Sequence, residues 1–175
     1  VGSTRTATAE IKELFQQAKF FDTPKPSRLV RFLISIATSK TAIILDFFAG
    51  SATTAHAVLN SNREDAGNRK FICVQLPEKT PQSSPPYNAG YSTIADIAKE
   101  RIRRVIEQME AEHEGQLDLR PDEDLGFKVF KLAPSTFRRW QPPQDDTEEG
   151  LERQLSYFDR GLEDGADPLH VIYEV

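Results

Sequence analysis

The run Ala42-Ile43-Ile44-Leu45-Asp46-Phe47-Phe48-Ala49-Gly50-Ser51-Ala52-Thr53-Thr54-Ala55-His56-Ala57-Val58 constrains this chain more than any other segment. Ala42 to Leu45 reads as a buried strand that ends in an acid and two aromatics. A turn of small residues comes next, and an Ala/Thr-rich helix opens at Thr53. A strand that enters a helix through small residues lets a ligand come close to the backbone and to the amide end of the helix. In open parallel sheets ligands sit outside the carboxyl ends of the strands, which is where this turn falls. The same residues can also form a purely structural turn. Two nucleotide-binding fingerprints are absent, since the sequence holds neither G-x-G-x-x-G nor G-x-x-x-x-G-K-[ST].

Periodicity places the other elements around this turn. Thr8 to Lys19 has the spacing of an amphipathic helix, with Ile11, Leu14, Phe15 and Ala18 on one stripe and Thr8 as N-cap. Pro26 suits the first turn of a second helix, Ser27 to Ala37, whose apolar residues on most sides predict deep burial. The central strand spans Ala42 to Phe47, and its helix runs from Thr53 to about Asn60, with a polar turn after it over Asn62 to Asn68. Lys70 to Leu76 is a second strand with the near-continuous apolar character of a parallel strand covered on both faces. Pro77 to Tyr91 is a Pro/Ser/Gly loop. Thr93 and Asp96 form a capping box for the longest helix, with its stripe on Ile94, Ile97, Ala98, Ile102, Val105, Ile106 and Met109. A third strand is expected at Phe127 to Leu132, a linker at Gln141 to Glu149 and a short helix at Leu151 to Leu162.

Strands alternating with helices imply right-handed crossovers and a parallel α/β sheet of about three strands. Such a narrow sheet leaves an apolar edge unpaired, so the remaining strands are expected from residues upstream of Val1 or from another chain. Composition narrows the class of function. No apolar run reaches the roughly 18 to 20 residues of a membrane span, and no signal-peptide pattern is present. The single cysteine, Cys73, has no internal disulfide partner, which points to a cytoplasmic home. The net charge of -5 argues against a surface that coats nucleic acid broadly, while leaving room for a local basic face. No His/Cys grouping has metal-ligand spacing.

Four ordered segments resemble the C-terminal part of the modification subunit of type III restriction-modification systems. They are Val1-Gly2-Ser3 through Ala9-Glu10-Ile11-Lys12-Glu13-Leu14-Phe15; Phe21-Asp22-Thr23-Pro24-Lys25-Pro26-Ser27-Arg28-Leu29; the glycine loop with Arg69 to Glu78; and Ala89 to Arg104. Gly126 to Leu132 and Trp140 extend the likeness over nearly the whole chain. These subunits are adenine-N6 DNA methyltransferases in which the catalytic box precedes the cofactor loop. The resemblance implies a Rossmann-like S-adenosylmethionine-dependent methyltransferase fold, with residues 1–140 forming the cofactor-binding half. Residues 141–175 would hold a linker and the start of a helical segment.

The resemblance also implies roles for particular residues. Lys25 and Pro26 match a Lys-Pro motif at the methionine end of the cofactor, where Lys25 can pair with a carboxylate. Phe48, Ala49 and Gly50 match the loop around methionine and ribose, with backbone amides facing the ligand. Asp46, Phe47 and Ser51 belong to the same loop, and Thr53 and Thr54 can donate from the helix start. Gln75 stands where enzymes of this kind present an acid to the ribose hydroxyls, and as an amide it can both donate and accept. Ala52 departs from the pattern, because the family loop has its second glycine there. Ser84-Pro85-Pro86-Tyr87 resembles a base-holding Pro-Pro-Tyr box but comes after the second strand instead of the fourth, and is read as a surface loop. The catalytic box and the target-recognition region are expected upstream. Double-stranded DNA, a restriction subunit and a second modification subunit are the implied partners. His56 is read as packed or exposed and not catalytic, Cys73 as a core residue, and Arg101, Arg103 and Arg104 with Lys99 as a solvated, charged helix face, with contact to DNA phosphate as the alternative. A noncatalytic subunit-interaction module of the same family is the alternative, favoured by Ala52.

Overall fold

The computed structural model describes residues 3–16, 20–113, 125–140, 142, 145, 147–159 and 161–174. The chain divides into two compact units, Val1–Gly126 and Phe127–Val175, which are described separately.

The first unit opens with α1, Thr4–Leu14. The helix begins four residues before the expected cap because Ser3, in extended backbone, accepts from Thr6 N through its hydroxyl. Thr8 lies inside the helix, where its hydroxyl donates to Thr4 O at 3.0 Å. Ile11, Leu14 and Phe15 are buried as expected, whereas residues 17–19 lie outside the described residues. Helix α2, Ser27–Ala37, has Pro26 at its N-cap with φ -66°. Its predicted deep burial is not observed. Ile34 is buried, but Phe32, Leu33 and Ile36 are exposed, because only one side of α2 packs on the rest of the unit.

Strands β1, Ile43–Asp46, and β2, Lys70–Cys73, pair in parallel with Ile43 opposite Lys70 and Asp46 opposite Cys73. Between them runs α3, Thr53–Asp65, which continues through most of the expected polar turn. Its end is fixed by side chains. Arg69 is buried and donates to both Asp65 oxygens at 2.9 Å, while the Asn62 amide exchanges two bonds with the Arg69 backbone. Successive side chains of a strand point to opposite faces. Ile44 and Phe71 therefore pack with Val30 against Ile34, Ala57 and Val58, and Ile43, Leu45, Ile72 and Val74 on the other face are exposed. The expectation of strands covered on both faces holds for one face only.

The loop after β2 contains the short helix α4, Pro85–Asn88, capped by Ser84. Helix α5, Ile94–His113, starts at the predicted capping box. Asp96 Oδ2 accepts from Thr93 N at 3.0 Å, and Thr93 Oγ1 accepts from Asp96 N at 3.2 Å. The third strand expected at Phe127 to Leu132 is not formed. These residues carry no regular structure, and Val129, Phe130 and Leu132 are exposed. An alternating pattern alone does not make a strand, which also needs ladder hydrogen bonds. The sheet among the described residues is thus two-stranded.

The second unit holds α6, Glu148–Asp159, which overlaps the predicted helix, and α7, Pro168–Glu174, which the sequence pattern did not reveal. Polar links organise it. Buried Arg138 donates to Tyr157 O at 2.8 Å, pairs with Asp164 at 2.9 Å and lies over the Tyr157 ring, and Glu174 accepts from Thr136 N at 2.8 Å. Among the described side chains of this unit, Val129, Phe130, Leu132, Trp140, Leu151, Leu155, Leu169, Ile172 and Tyr173 are exposed. No helix among the described residues is long and apolar enough to cross a membrane.

Lys99 at 2.9 Å and the Thr93 hydroxyl hold the Asp96 carboxyl down at about 2, below its ordinary 3.8. A group with a depressed folded value adds stability above its unfolded value and loses it as pH falls through the folded one. Asp96→Ala is expected to lower the unfolding free energy by roughly 1 kcal/mol at neutral pH. In denaturant titrations the difference should shrink between pH 3.8 and 2. A pH-independent deficit would mean that packing of α5, and not the cap, is lost.

Candidate functional site

The chain leaves β1 at Asp46, and the two oxygens of that carboxylate shape the turn beyond it. Oδ1 accepts from Phe48 N at 3.0 Å and Oδ2 from the Thr54 hydroxyl at 2.5 Å. One side chain therefore closes the start of the turn and ties it to the first turn of α3. The ladder continues past both strands, with Val74 N donating to Asp46 O at 2.8 Å and Ala49 N to Val74 O at 3.1 Å. Gln75 Oε1 then accepts from Gly50 N at 2.7 Å, while its amide nitrogen donates to Leu76 O. Ala52 N donates to Ala49 O at 2.7 Å and closes the turn.

Six of the residues singled out from sequence, Asp46, Phe48, Ala49, Gly50, Thr54 and Gln75, thus meet in one hydrogen-bonded turn. The amides of Phe48, Ala49 and Gly50, expected to face a ligand, donate within the protein instead. Gln75 and Asp46 are members of the turn as well as candidate ligand groups. What the turn presents outward is aromatic. Phe47 is exposed and Phe48 is 88% exposed. Lys25 is exposed, and Pro26 is buried at the head of α2.

Gly50 and Ala52 both have left-handed backbone, with φ +52° and +58°. A Cβ at Gly50 would stand 3.4 Å from the Phe21 ring, which brings the segment before α2 to the turn. Ala52 is the N-cap of α3 and offers its first-turn amides no side-chain acceptor. The glycine-type backbone is therefore retained without the glycine. The left-handed penalty of a Cβ, about 1–2 kcal/mol, is opposed here by two terms. Burying the methyl returns about 0.8 kcal/mol, and the less flexible unfolded chain about 0.4–1 kcal/mol. Ala52 is fully buried, so both offsets apply.

Behind the turn lies Arg101, which residue type alone places on a solvated face. The structure corrects this, since Arg101 has 0% exposure. Its Nη1 donates to Ser51 Oγ at 3.0 Å, to Ser51 O at 3.4 Å and to Thr53 Oγ1 at 2.8 Å. Nη2 lies 3.1 Å from His56 Nδ1 and 3.6 Å from Glu10 Oε1. Glu10 also stands 3.1 Å from His56 Nδ1 and accepts from Ser27 N at 3.3 Å. Burial, opposed by Glu10, brings Arg101 down to about 10, so the guanidinium stays charged at neutral pH. Burial first, then the charges of Arg101 and Arg31, lowers His56 to about 3, and the ring is neutral. Nδ1 thus faces both an Arg101 donor and the Glu10 carboxylate, and the tautomer decides which of the two it bonds. The signal for Arg101 was available: it sits four residues after Ile97 and four before Val105, on the apolar stripe of α5. Arg103 is exposed, and Arg104 lies 4.7 Å from the Phe15 ring centroid and donates to Leu14 O at 2.8 Å.

Cys73 is half-buried, and burial, then the Asp46 charge, pushes its thiol up to about 11. It stays protonated at neutral pH, in keeping with a packing role and not a nucleophilic one. Ser84 to Tyr87 forms the capped start of α4, with Pro86 buried. Among the described residues no acidic, His or Cys group could hold a metal ion.

This geometry sets two expected outcomes. Ala52→Gly is expected to change the unfolding free energy by less than about 1 kcal/mol, because the three terms nearly cancel. A larger gain in denaturant unfolding would mean that the methyl is strained. His56 has a folded value near 3 against 6.5 unfolded, so the unfolded state binds the extra proton between them and stability falls as pH drops from 6.5 toward 3. Between pH 6.5 and 5 the slope approaches about 1.4 kcal/mol per pH unit, and His56→Gln should flatten it. An unchanged slope in the variant would assign the titration to another group.

Comparison with known proteins identifies the family. The family model described as DNA methylase matches residues 3–106, more than half of the chain. The Mod subunit of the type III restriction-modification enzyme StyLTI from Salmonella typhimurium is 40% identical over 136 residues, covering 78% of this chain and 20% of that protein. The EcoP15I Mod subunit from Escherichia coli is 42% identical over 131 residues, covering 74% and 18%. The type II methyltransferase M.KpnI from Klebsiella pneumoniae is 39% identical over 102 residues, covering 58% and 24%. The chain spans about a fifth of the length of these relatives. With the match running from α1 through most of α5, the chain belongs to the DNA methylase family.

Proposed function

We propose that this chain is the S-adenosylmethionine-binding part of a site-specific DNA adenine-N6 methyltransferase of a type III restriction-modification system. The observation that carries the reading is the turn at the carboxyl end of β1, held by Asp46 and Gln75 in a member of the DNA methylase family. The extra length of the match to the Mod subunits, beyond what M.KpnI covers, supports the type III assignment.

The residues fit this cofactor. Gly50 keeps the turn free of a side chain, and Ala52 leaves the first amides of α3 without a side-chain cap of their own. Helix-terminal amides favour an anionic group such as a carboxylate. Phe47 and Phe48 offer exposed rings for an adenine or a sulfonium to lie against. When bound, the cofactor supplies an electrophilic sulfonium methyl. The task of this chain is to bind and align: Asp46 and Gln75 fix the turn, Lys25 is available to a carboxylate, and the Phe rings exclude water. Catalysis by such a part is positioning, and no proton need move at its residues.

The exposed sheet face of Ile43, Leu45, Ile72 and Val74, with Phe32, Leu33 and Ile36 on α2, suits cover by the rest of the protein. That remainder would hold the box that receives the flipped adenine and the target-recognition region. DNA, a restriction subunit and a second modification subunit complete the proposed assembly, and this chain alone transfers no methyl group. The alternative, a noncatalytic interaction module, draws on Ala52 at its positive φ.

The test is calorimetric titration of the full-length subunit with S-adenosylmethionine, alongside methyl transfer to adenine in duplex DNA. Saturable binding is expected, with affinity falling on the order of tenfold or more in Asp46→Ala as the turn is released. Binding without transfer would favour the interaction module. Absence of binding in a folded subunit, both with Ala52 and after Ala52→Gly, would overturn cofactor use.

A further inference from the structure

We infer that Arg101 is the positioning residue of the cofactor turn, locking Ser51 and Thr53 from their buried side, with Glu10 as its counter-ion. The inference rests on the proposed cofactor role for its consequence in binding, but its structural part stands on geometry alone.

A fully buried guanidinium is costly unless its donors are met by acceptors and its charge by an anion. Here the two Nη groups find acceptors in the turn and at the start of α3, whereas Nε is buried without a hydrogen-bond partner. Ser51 contributes both its carbonyl and its hydroxyl, and Thr53 its hydroxyl, all to Nη1. His56 Nδ1 lies 3.1 Å from Nη2, and Glu10 from α1 lies 3.6 Å from the same nitrogen. Every group that satisfies Arg101 therefore becomes fixed relative to α5. Ser51 and Thr53 flank Ala52, the left-handed residue at the head of α3. Holding both neighbours is what keeps a non-glycine residue in that conformation while the outward side of the turn stays open.

The arrangement divides the labour around one short turn. Asp46 and Gln75 hold its outer half through Phe48 N and Gly50 N. Arg101 holds its inner half. Glu10 joins a second element to the same knot, because its other oxygen accepts from Ser27 N at the start of α2. Helix α1 is thereby coupled to the turn by charge although it stands about forty residues earlier in the sequence.

Lysine keeps the charge but presents a compact ammonium in place of the planar fork, so it cannot span Ser51, Thr53 and His56 together. Arg101→Lys in the full-length subunit is the main variant. Hydrogen exchange of the amides from 48 to 55, measured without cofactor, should quicken by about tenfold or more. Exchange in the core of α5 should quicken far less than in the turn, while the thermal midpoint falls because the buried ammonium leaves acceptors unmet. The KM for S-adenosylmethionine should rise about tenfold while kcat and DNA affinity stay within about twofold. A core-filling role would lower the midpoint but leave the KM and the selective exchange of the turn unchanged, which would overturn the inference. If Arg101→Lys does not fold, Glu10→Gln decides. It leaves Arg101 and its hydrogen bonds in place, and the expected rise in KM and local exchange is smaller, about threefold; no change in either would overturn the inference. Wild-type subunit that binds no S-adenosylmethionine defeats the proposed function, and the exchange measurement then still decides whether Arg101 holds the turn.

Discussion

The buried charge of Arg101 is the constraint around which the first unit is arranged. An unpaired guanidinium would cost several kcal/mol in the interior. It is tolerated because α1, the turn and α3 each bring a partner to it from a different part of the sequence. The partners are paired in their turn: Glu10 with Ser27 N, Thr53 with α5 through Arg101 itself. Replacing the knot with apolar side chains could leave the unit equally stable. It could not give the turn its particular shape, since apolar contacts carry no direction. A directional knot under an open turn is a device for conformational specificity.

The second theme is asymmetry of burial. The hydrophobic core of Ile34, Ala57 and Val58, with Val30, Ile44 and Phe71 against it, lies on one side of a two-stranded sheet. The same strands present Ile43, Leu45, Ile72 and Val74 to the other side without cover. A sheet this narrow stabilises poorly by itself. Polar links do much of the remaining work, notably Arg69 with Asp65 at the end of α3 and Arg104 with Glu100 and Leu14 O near Phe15. The second unit goes further in this direction, with Arg138 and Glu174 as its fixed points and Leu132, Leu169, Ile172 and Tyr173 exposed.

Legibility in the sequence tracks the range of the interactions. Helix α2 and the α5 capping box are readable because each is set by neighbours within a few residues, and the two strands because their apolar runs are continuous. Thr93 with Asp96 and Pro26 before α2 are such neighbours. Boundaries governed by competing local caps are displaced, as at Ser3 against Thr8 and at Asp65 against Asn60. The features that fail depend on distant partners. The strand expected at Phe127 to Leu132 has the alternating pattern but no regular structure, and among the described residues the outer side of α2 stays exposed. Arg101 is misplaced when residue type is weighed above position, although its spacing from Ile97 and Val105 puts it among core residues.

Ala52 brings these threads together. In the sequence it is a departure whose effect depends on φ, and its φ is +58°. Taken alone, that angle argues for strain and a damaged turn. The surrounding interactions argue the other way. Its methyl is buried, its amide is bonded to Ala49 O, and its two neighbours are both held by one rigid guanidinium. A left-handed alanine persists when the structure around it over-determines its conformation, and the partners of Arg101 do so here. The tolerance of alanine where glycine is expected is therefore a property of α5 and α1 as much as of the turn.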